Sequence, residues 1–359
     1  MAKLDDWLDA EEHFFRREHK AKRYHKTQNL TSGKKKHTAQ DGQKLARVLS
    51  LSPEIITVMI DEQLVTCSIK GSLKCLKRKE KNLIVVGDWV QVEIKGANSG
   101  VITDIEPRHS FLSRRDSFSQ RKQHLIAVNV DQVFITLSVV APFFTPMLID
   151  RYIIATKKGN MEPLIIINKM DLFSDPPKEI PTQDIEAEQK LFDTFYQAFS
   201  PLDIPIFQVS CRRPETLAPI KKAMRNKTSV FSGPSGTGKS SLINATTDAN
   251  LTTGALVEKT NKGRHTTTAA TLIPLEGKGF CIDTPGIQSF SLWNLASDEV
   301  RSYFPDFSPF DPHCRFPDCT HQHEPDCAVK EALEAGRIHP MRYASYSALL
   351  ADPSPKEWE

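Results

Sequence analysis

The fold of this chain is decided by one stretch of sequence, Ser232-Gly233-Pro234-Ser235-Gly236-Thr237-Gly238-Lys239-Ser240-Ser241. Apolar residues lie directly before and after it, which predicts a strand, a glycine-rich loop and a helix. The spacing fits the phosphate-loop pattern G-x-x-x-x-G-K-[ST], in which backbone N–H groups turn inward around an anion. We expect Lys239 to reach the outer phosphates of a nucleoside triphosphate and Ser240 to supply a hydroxyl to Mg²⁺. A chance Gly/Ser turn is the alternative, and the flanking strand and helix argue against it.

A polar tetrapeptide, Asn168-Lys169-Met170-Asp171, ends the apolar run 163–167 in a region where strand-like and helix-like segments alternate. Such alternation predicts a parallel α/β sheet. The pattern N-K-x-D at the end of a strand resembles the guanine-specificity motif of the GTPase superfamily, although four residues alone also fit a polar turn. The resemblance implies that the Asp171 carboxylate accepts from guanine N1–H and the exocyclic amine, a donor pair that adenine lacks. It also implies that Asn168 ties its loop to the phosphate loop and that Lys169 lies along the base.

Three further segments fit the same superfamily. Ser210-Cys211 follows the apolar run 204–209, where the superfamily has a second guanine-contacting motif that is usually Ser-Ala. The stretch Gly263-Arg264-His265-Thr266-Thr267-Thr268 precedes Asp283-Thr284-Pro285-Gly286 and lacks a core pattern, which is typical of a switch loop. We expect Asp283 to hold Mg²⁺ through water, Gly286 to contact the γ-phosphate, and either Thr266 or Thr267 to reach Mg²⁺. An ordinary surface loop and a common D-x-x-G turn are the alternatives.

The order of these motifs is unusual for a GTPase. N-K-x-D comes first and D-x-x-G last, which indicates a circularly permuted P-loop GTPase domain over residues 118–292. Many GTPases place a Gln after D-x-x-G to orient the attacking water, whereas this chain has Ile287. His265 is the candidate for that catalytic role, and a solvent-exposed or partner-contacting histidine is the alternative. The permutation also places the second switch directly before residues 293–359, so we expect the bound nucleotide to influence their position.

Potential metal ligands lie close together near the C-terminus, in the pattern C-x4-C-x-H-x5-C: Cys314, Cys319, His321 and Cys327. Three thiols and one imidazole suit one closed, structural Zn²⁺ site, which predicts a small helical zinc-binding domain over residues 293–359. His313 and His323 compete for the role of fourth ligand, and free surface thiols are the alternative to a metal. Other residues of this segment are candidates either for RNA contacts or for a solvated face: Arg337, His339, Arg342 and Tyr343.

The N-terminal part of the chain predicts a basic arm and a small barrel. Between His13 and Lys44 there are ten Lys/Arg and two acids, so we interpret residues 1–44 as a disordered arm that binds nucleic acid rather than a merely solvated tail. Five short strand candidates over residues 45–110 predict an OB-type β-barrel, which either binds RNA or serves as a rigid spacer. Residues 108–122 are rich in Arg and are interpreted as a basic linker.

Length and composition fit a multidomain α/β protein. The chain has 359 residues, which favours two or three domains, and a net charge of only +3. Its seven cysteines show no regular framework, which indicates reduced, cytosolic usage rather than disulfides. No apolar run approaches about 18 residues and the acidic first residues do not fit a signal peptide, so we expect a cytoplasmic protein without a membrane span.

Together, the barrel, the permuted GTPase motifs and the cysteine–histidine pattern closely resemble the small ribosomal subunit biogenesis GTPases, the RsgA family of bacteria. The resemblance covers residues 45 to about 345. It implies a GTPase, which we expect to be monomeric, that binds the small (30S) ribosomal subunit and its 16S rRNA late in maturation, alongside other assembly factors. The subunit would stimulate GTP hydrolysis, and the protein would then dissociate. Two other classes stay open: a P-loop ATPase or kinase, which Asp171 argues against, and an RNA-binding scaffold with a degenerate GTPase, which Lys239 and Asp283 argue against.

Overall fold

The computed structural model describes residues 42–52, 55–74, 83–115, 123–247, 270–283 and 297–351. Within these ranges the chain forms a closed barrel, a two-stranded hairpin, a six-stranded sheet and a C-terminal group of short helices. No helix in the described ranges is long and apolar enough to cross a membrane. The basic arm predicted over residues 1–44 lies outside these ranges, apart from residues 42–44.

The N-terminal barrel is closed by five strands in the order β1-β2-β3-β5-β4. The strands β1 and β4 pair antiparallel to close it, and β3 and β5 pair parallel. Along β2 buried and half-buried residues alternate, because successive side chains of a strand point to opposite faces. The prediction of an OB-type barrel is confirmed. The bounds are β1 Lys44–Leu51, β2 Ile56–Ile60, β3 Gln63–Ile69, α1 Gly71–Lys74, β4 Trp89–Gly96 and β5 Ser99–Ile105.

A hairpin stands where a basic linker was predicted, so that interpretation of residues 108–122 is wrong for its described part. Strand β6, Phe111–Arg115, pairs antiparallel with β7, Gln123–Val128. Arg108 is not a free linker charge, since its guanidinium donates to both carboxylate oxygens of Asp88 at 2.7 and 2.8 Å. The Arg-rich composition hid a short strand whose apolar residues, such as the buried Leu112, enter the core.

The central sheet has six strands in the order β10-β9-β8-β11-β13-β12. All neighbours pair parallel except β12 and β13. Every residue of β8 is buried, as expected for a parallel strand covered by helices on both faces. The strands are β8 Gln132–Ser138, β9 Glu162–Asn168, β10 Ile206–Gln208, β11 Thr228–Ser232, β12 Thr271–Pro274 and β13 Phe280–Asp283, and the helices among them are α2 Met147–Lys158, α3 Thr182–Phe199, α4 Ala218–Ala223 and α5 Lys239–Thr247.

The barrel is joined to this sheet by a buried arginine of β1. The guanidinium of Arg47 donates to the carbonyl of Asn129 at 3.0 Å and to the hydroxyl of Thr228 at 3.2 Å. It also lies over the rings of Trp89 and Phe280, with distances of 4.7 and 5.7 Å to the ring centroids. Burial lowers the pKa of Arg47 to about 10. Because Thr228 and Phe280 begin β11 and β13, the barrel contacts the edge of the sheet where these strands start.

The C-terminal helices share one apolar core with the face of the sheet covered by α2 and α3. Their bounds are α6 Ser297–Val300, α7 Ala328–Glu334 and α8 Pro340–Ala351. The fully buried rings of Phe304, Phe307 and Tyr346 pack against one another in tilted and edge-to-face contacts, with centroids 5.0 to 5.3 Å apart. The segment therefore packs as a continuation of the core of the six-stranded sheet.

The structure corrects the interpretation of Arg342, which is neither a solvated residue nor an RNA contact. Its side chain is only 2% exposed and lies between the carboxylates of Asp150 on α2 and Asp306. Although burial opposes it, these two carboxylates hold the pKa of Arg342 above its ordinary value. Its neighbour Tyr343 also turns inward and donates to the carbonyl of His321 at 2.6 Å. Arg342 and Tyr343 therefore make their contacts inside the protein, whereas Arg337 is exposed and His339 is half-buried.

Candidate functional site

The polar motifs meet at one edge of the sheet because the strands that carry them run parallel. Ser138 at the end of β8 pairs with Asn168 at the end of β9. On the other side of β8, Ser232 of β11 pairs with Ile135, and Val230 of β11 pairs with Ile282 of β13. The chain therefore places the N-K-x-D segment, the phosphate loop and Asp283 at the carboxyl ends of β9, β11 and β13, with β8 between β9 and β11. This is the edge at which α/β sheets bind ligands.

The phosphate loop needs glycine at two positions for steric reasons. A Cβ on Gly233, whose φ is +153°, would lie 2.0 Å from the carbonyl oxygen of Thr136. A Cβ on Gly238, whose φ is +90°, would lie 2.4 Å from the side-chain amide of Asn168. Neither position accommodates a side chain without moving backbone or breaking a contact. These glycines hold the loop close to the two neighbouring strands.

Lys239 begins α5 and points back into the loop. Its ammonium group donates to the carbonyl oxygens of Gly233 at 2.8 Å and Pro234 at 2.6 Å. Partial burial lowers the pKa of Lys239. Ser232 and Thr237 are buried, whereas Ser235, Gly236, Ser240 and Ser241 are exposed. The loop therefore combines an ammonium group, the N-terminus of α5 and exposed serine residues, a composition suited to an anion.

Asn168 and Lys169 connect the N-K-x-D segment to the phosphate loop. The Asn168 amide donates to the carbonyl of Thr237 at 2.9 Å. Lys169, in a left-handed conformation with φ +61°, donates to the carbonyl of Gly236 at 2.6 Å and also to that of Ala141. Partial burial lowers the pKa of Lys169, and the neighbouring Asp171 opposes that change. Sequence reasoning missed the loop that contains Ala141, since no residue type in it signals chemistry.

The carboxylate of Asp171 is buried and already oriented. Its Oδ1 accepts a hydrogen bond of 2.5 Å from the hydroxyl of Ser210, which follows β10. Arg212, which the sequence reasoning did not single out, has its Nη1 atom 3.3 Å from Asp171 Oδ2. Cys211 between them is half-buried, and burial raises the pKa of its thiol, as does the nearby Asp171. Met170 is half-buried and packs against the apolar core.

The residues expected at Mg²⁺ and the γ-phosphate are only partly described. Asp283 ends β13 and is half-buried, and Ser240 is exposed in the first turn of α5. A hydroxyl and a carboxylate are hard oxygen donors of the kind that Mg²⁺ takes. The helix that carries Ser240 follows β11, and β11 pairs parallel with β13, which ends at Asp283, so these residues fit the ion. His265, Thr266, Thr267 and Gly286 lie outside the described residues.

A second site is formed by four side chains of the C-terminal segment, whose ligand atoms all lie within 4.8 Å of one another: Cys314, Cys319, His321 and Cys327. The Sγ atoms of Cys314 and Cys327 are 3.9 Å apart, and the Nδ1 atom of His321 is 3.6 and 3.4 Å from them. A tetrahedral Zn²⁺ with Zn–S bonds of about 2.3 Å would separate two thiolates by about 3.8 Å. The donor set and its spacing fit a metal ion of this kind. His313 and His323 are exposed and are not part of the cluster.

Two carboxylates orient the metal-binding cluster from outside. Asp311 Oδ1 lies 3.1 Å from the Nε2 atom of His321, on the side of the ring away from the thiols. Glu324 accepts from the backbone and hydroxyl of Thr320 and from the backbone N–H groups of Gln322 and His323. Such contacts fix the ring and the loop that carry metal ligands. Sequence spacing gave no signal for either carboxylate.

Comparison with known proteins identifies the family. A family model described as RsgA GTPase matches residues 105–293. The chain is 33% identical over 293 residues to "Small ribosomal subunit biogenesis GTPase RsgA" of Phocaeicola vulgatus, which covers 81% of this chain and 91% of that relative. It superposes on YjeQ from Thermotoga maritima with a TM-score of 0.66 and 29% identity, over 86% of this chain and 98% of that one. For YloQ, "a circularly permuted GTPase", the TM-score is 0.65 and the identity 26%, over 90% and 100% of the chains. The chain therefore belongs to the RsgA GTPase family and is a circularly permuted GTPase.

Proposed function

We propose that this GTPase acts in late maturation of the small (30S) ribosomal subunit. It binds the subunit and its 16S rRNA in the GTP state, hydrolyses GTP when the subunit stimulates it, and then dissociates. The relative from Phocaeicola vulgatus is named for small ribosomal subunit biogenesis and is similar over most of both chains, which supports this proposal. The protein acts as a monomer in the cytoplasm and meets other assembly factors on the subunit.

The contact of Asp171 with Ser210, at the same edge of the sheet as the phosphate loop, carries the assignment of guanine as the base. Asp171 accepts from guanine N1–H and its exocyclic amine, while Ser210 and Cys211 line the base from the other side. Lys169 lies along the base, and Asn168 holds the two loops together. Adenine offers no such pair of donors, so it would add no hydrogen bond to the buried carboxylate.

The phosphate loop and the switch segments bind the triphosphate and Mg²⁺ in this proposal. Residues 232–241 surround the phosphates, with Lys239 on the outer ones. The ligands of Mg²⁺ are Ser240, Asp283 and one of Thr266 and Thr267. The ion supplies charge stabilisation at the phosphates. Gly286 contacts the γ-phosphate, and His265 orients the attacking water in place of the Gln that Ile287 replaces.

The remaining parts of the chain provide the partner contacts. We assign residues 1–44 as a basic arm, 45–110 as an RNA-binding barrel, 118–292 as the GTPase domain and 293–359 as the zinc-binding domain. One structural Zn²⁺ is held by Cys314, Cys319, His321 and Cys327, because four protein ligands leave no open position for chemistry. Arg47 supports a common orientation of barrel and GTPase domain, since it is buried between them.

Co-sedimentation tests the partner and its nucleotide dependence. Purified small subunits are pelleted with the protein in the presence of a non-hydrolysable GTP analogue, GDP or no nucleotide, and large subunits serve as the control. We expect retention on small subunits with the GTP analogue and loss with GDP. Equal retention on small and large subunits would contradict the proposal, as would retention that does not depend on the nucleotide present.

A further inference from the structure

An exposed arginine contacts the buried carboxylate that recognises the base. The Nη1 atom of Arg212 lies 3.3 Å from Oδ2 of Asp171 and 3.6 Å from Oδ2 of Asp175. The Arg212 side chain is 68% exposed, whereas that of Asp171 is 10% exposed and that of Asp175 is 85% exposed. Of the two carboxylates near Arg212, that of Asp171 is therefore held inside the protein, whereas that of Asp175 lies in solvent.

The guanidinium presents the same chemistry to Asp171 that guanine would present. Ser210 already occupies Oδ1 of the carboxylate through its hydroxyl, and Arg212 lies at Oδ2. Guanine recognition requires its N1–H and amine groups to donate to this carboxylate, and arginine donates through N–H groups of its own. The base and the guanidinium therefore compete for Oδ2.

We propose that Arg212 is a latch on the guanine site: it pairs with Asp171 before nucleotide binds, and it must leave Oδ2 for the base to dock. This inference rests on the proposed role of Asp171 as the guanine acceptor. Asp175 retains the guanidinium after the latch opens, because it lies within reach of the same Nη1 atom. Arg212 is in this sense a positioning residue, because it sets the fraction of protein molecules whose guanine site is open.

The latch has a kinetic signature. When only the open fraction binds, the apparent association rate constant falls in proportion to that fraction, whereas dissociation of the bound nucleotide is unchanged. Ion pairs with one exposed partner are weak, so we expect the latch to slow association by about two- to fivefold. An arginine that instead contacts the bound base would slow dissociation, and its removal would accelerate it.

Stopped-flow fluorescence with labelled GDP distinguishes the two cases. Arg212→Gln removes the latch, and Arg213→Gln is the matched control, because Arg213 is the next residue, is exposed, and carries the same charge. We expect Arg212→Gln to bind about two- to fivefold faster than Arg213→Gln, with equal dissociation rates. The difference should shrink as salt is raised, since salt screens exposed pairs. Arg212→Lys, which keeps the charge, should associate at a rate between those of the wild type and Arg212→Gln.

A slower association or a faster dissociation of Arg212→Gln than of Arg213→Gln would overturn the latch. Asp171→Asn separates this failure from a failure of the proposed site. If Asp171→Asn binds labelled GDP as tightly as the wild type, Asp171 is not the guanine acceptor and both proposals are wrong. If Asp171→Asn binds weakly and Arg212→Gln does not associate faster than Arg213→Gln, only the latch is wrong. Thermal melting of each variant checks that it is folded.

Discussion

The side-chain amide of Asn168 donates a 2.9 Å hydrogen bond to the carbonyl oxygen of Thr237, which lies 69 residues further along the chain. This contact joins the N-K-x-D segment to the phosphate loop. The same amide lies only 2.4 Å from where a Cβ of residue 238 would be, so this contact requires glycine at that position. The permuted chain order does not disturb this geometry, because the two motifs still end strands on the same edge of one sheet.

Asn168→Ala should weaken binding of GDP and GTP, because it leaves a buried loop carbonyl without its donor. The loss of such a partner costs about 1–3 kcal/mol, or roughly 5- to 150-fold in affinity. Equilibrium titration with labelled GDP measures it. Asn98→Ala is the control, since Asn98 is exposed in the turn between β4 and β5. Equal affinities of the two variants would show that the contact does not support the site.

Asp171→Asn should reverse the base preference. The amide places an N–H group against the N–H donors of guanine, so we expect GTP affinity to fall by at least about 100-fold. Xanthine has a carbonyl where guanine has its amine, so binding of xanthosine triphosphate should improve. Competition titrations with both nucleotides measure the change, with Asp203→Asn, at an exposed carboxylate before β10, as the control. Unchanged GTP preference would remove Asp171 from the base site.

Arg342→Met should strongly destabilise the fold, because it leaves the buried carboxylate of Asp150 without its partner. Breaking a buried ion pair by removing one partner costs about 3–5 kcal/mol. Urea unfolding measures the loss of free energy of unfolding. The control is Arg337→Met, because Arg337 is exposed and its guanidinium covers the ring of Phe310. Adding Asp150→Asn should restore part of the lost free energy of unfolding. A loss no larger than that of the control would contradict the buried role.

Metal removal should loosen the C-terminal segment more than the rest of the protein. The cluster lies next to the aromatic core, where the ring of His321 is 6.1 Å from that of Phe307. We expect a chelator to lower the melting temperature and to accelerate hydrogen exchange over residues 297–351, with the barrel strands as internal reference. Co²⁺ in place of Zn²⁺ should give the absorption of a tetrahedral thiolate site. Unchanged exchange after verified metal loss would contradict a structural role.

Glu324 should make metal retention resistant to acid. Partial burial acts to raise its pKa, but hydrogen bonds from Thr320 and from nearby backbone groups lower it to about 2. A carboxyl whose pKa is lowered on folding stabilises the folded state, and the effect is complete at pH values above the ordinary pKa of 4.5. The stabilisation is lost as the pH falls toward 2. Glu324→Gln should therefore release Zn²⁺ at a higher pH than the wild type. Asp326→Asn, at an exposed carboxylate paired with Arg315, should release Zn²⁺ at the wild-type pH. If the two variants release Zn²⁺ at the same pH, Glu324 does not hold the loop.

The fold could be predicted from the sequence because its motifs end strands. Phosphate-loop and N-K-x-D residues mark the carboxyl edge of a parallel sheet, and the short strands of the barrel alternate in the expected way. The burial of Arg342 could not be predicted, since a charged residue is read as exposed until its partners Asp150 and Asp306, which are distant in sequence, are known. Arg212 was missed for a similar reason, because only the folded chain brings it to Asp171.

The rate of GTP hydrolysis with and without purified small ribosomal subunits tests the central claim most directly. ATP and large subunits are the controls, and His265→Ala is measured beside the wild type. We expect strong stimulation by small subunits alone, with GTP alone, and its loss in His265→Ala while labelled GTP still binds. Equal rates with and without small subunits would contradict a ribosome-stimulated GTPase and indicate an enzyme that hydrolyses nucleotide unaided.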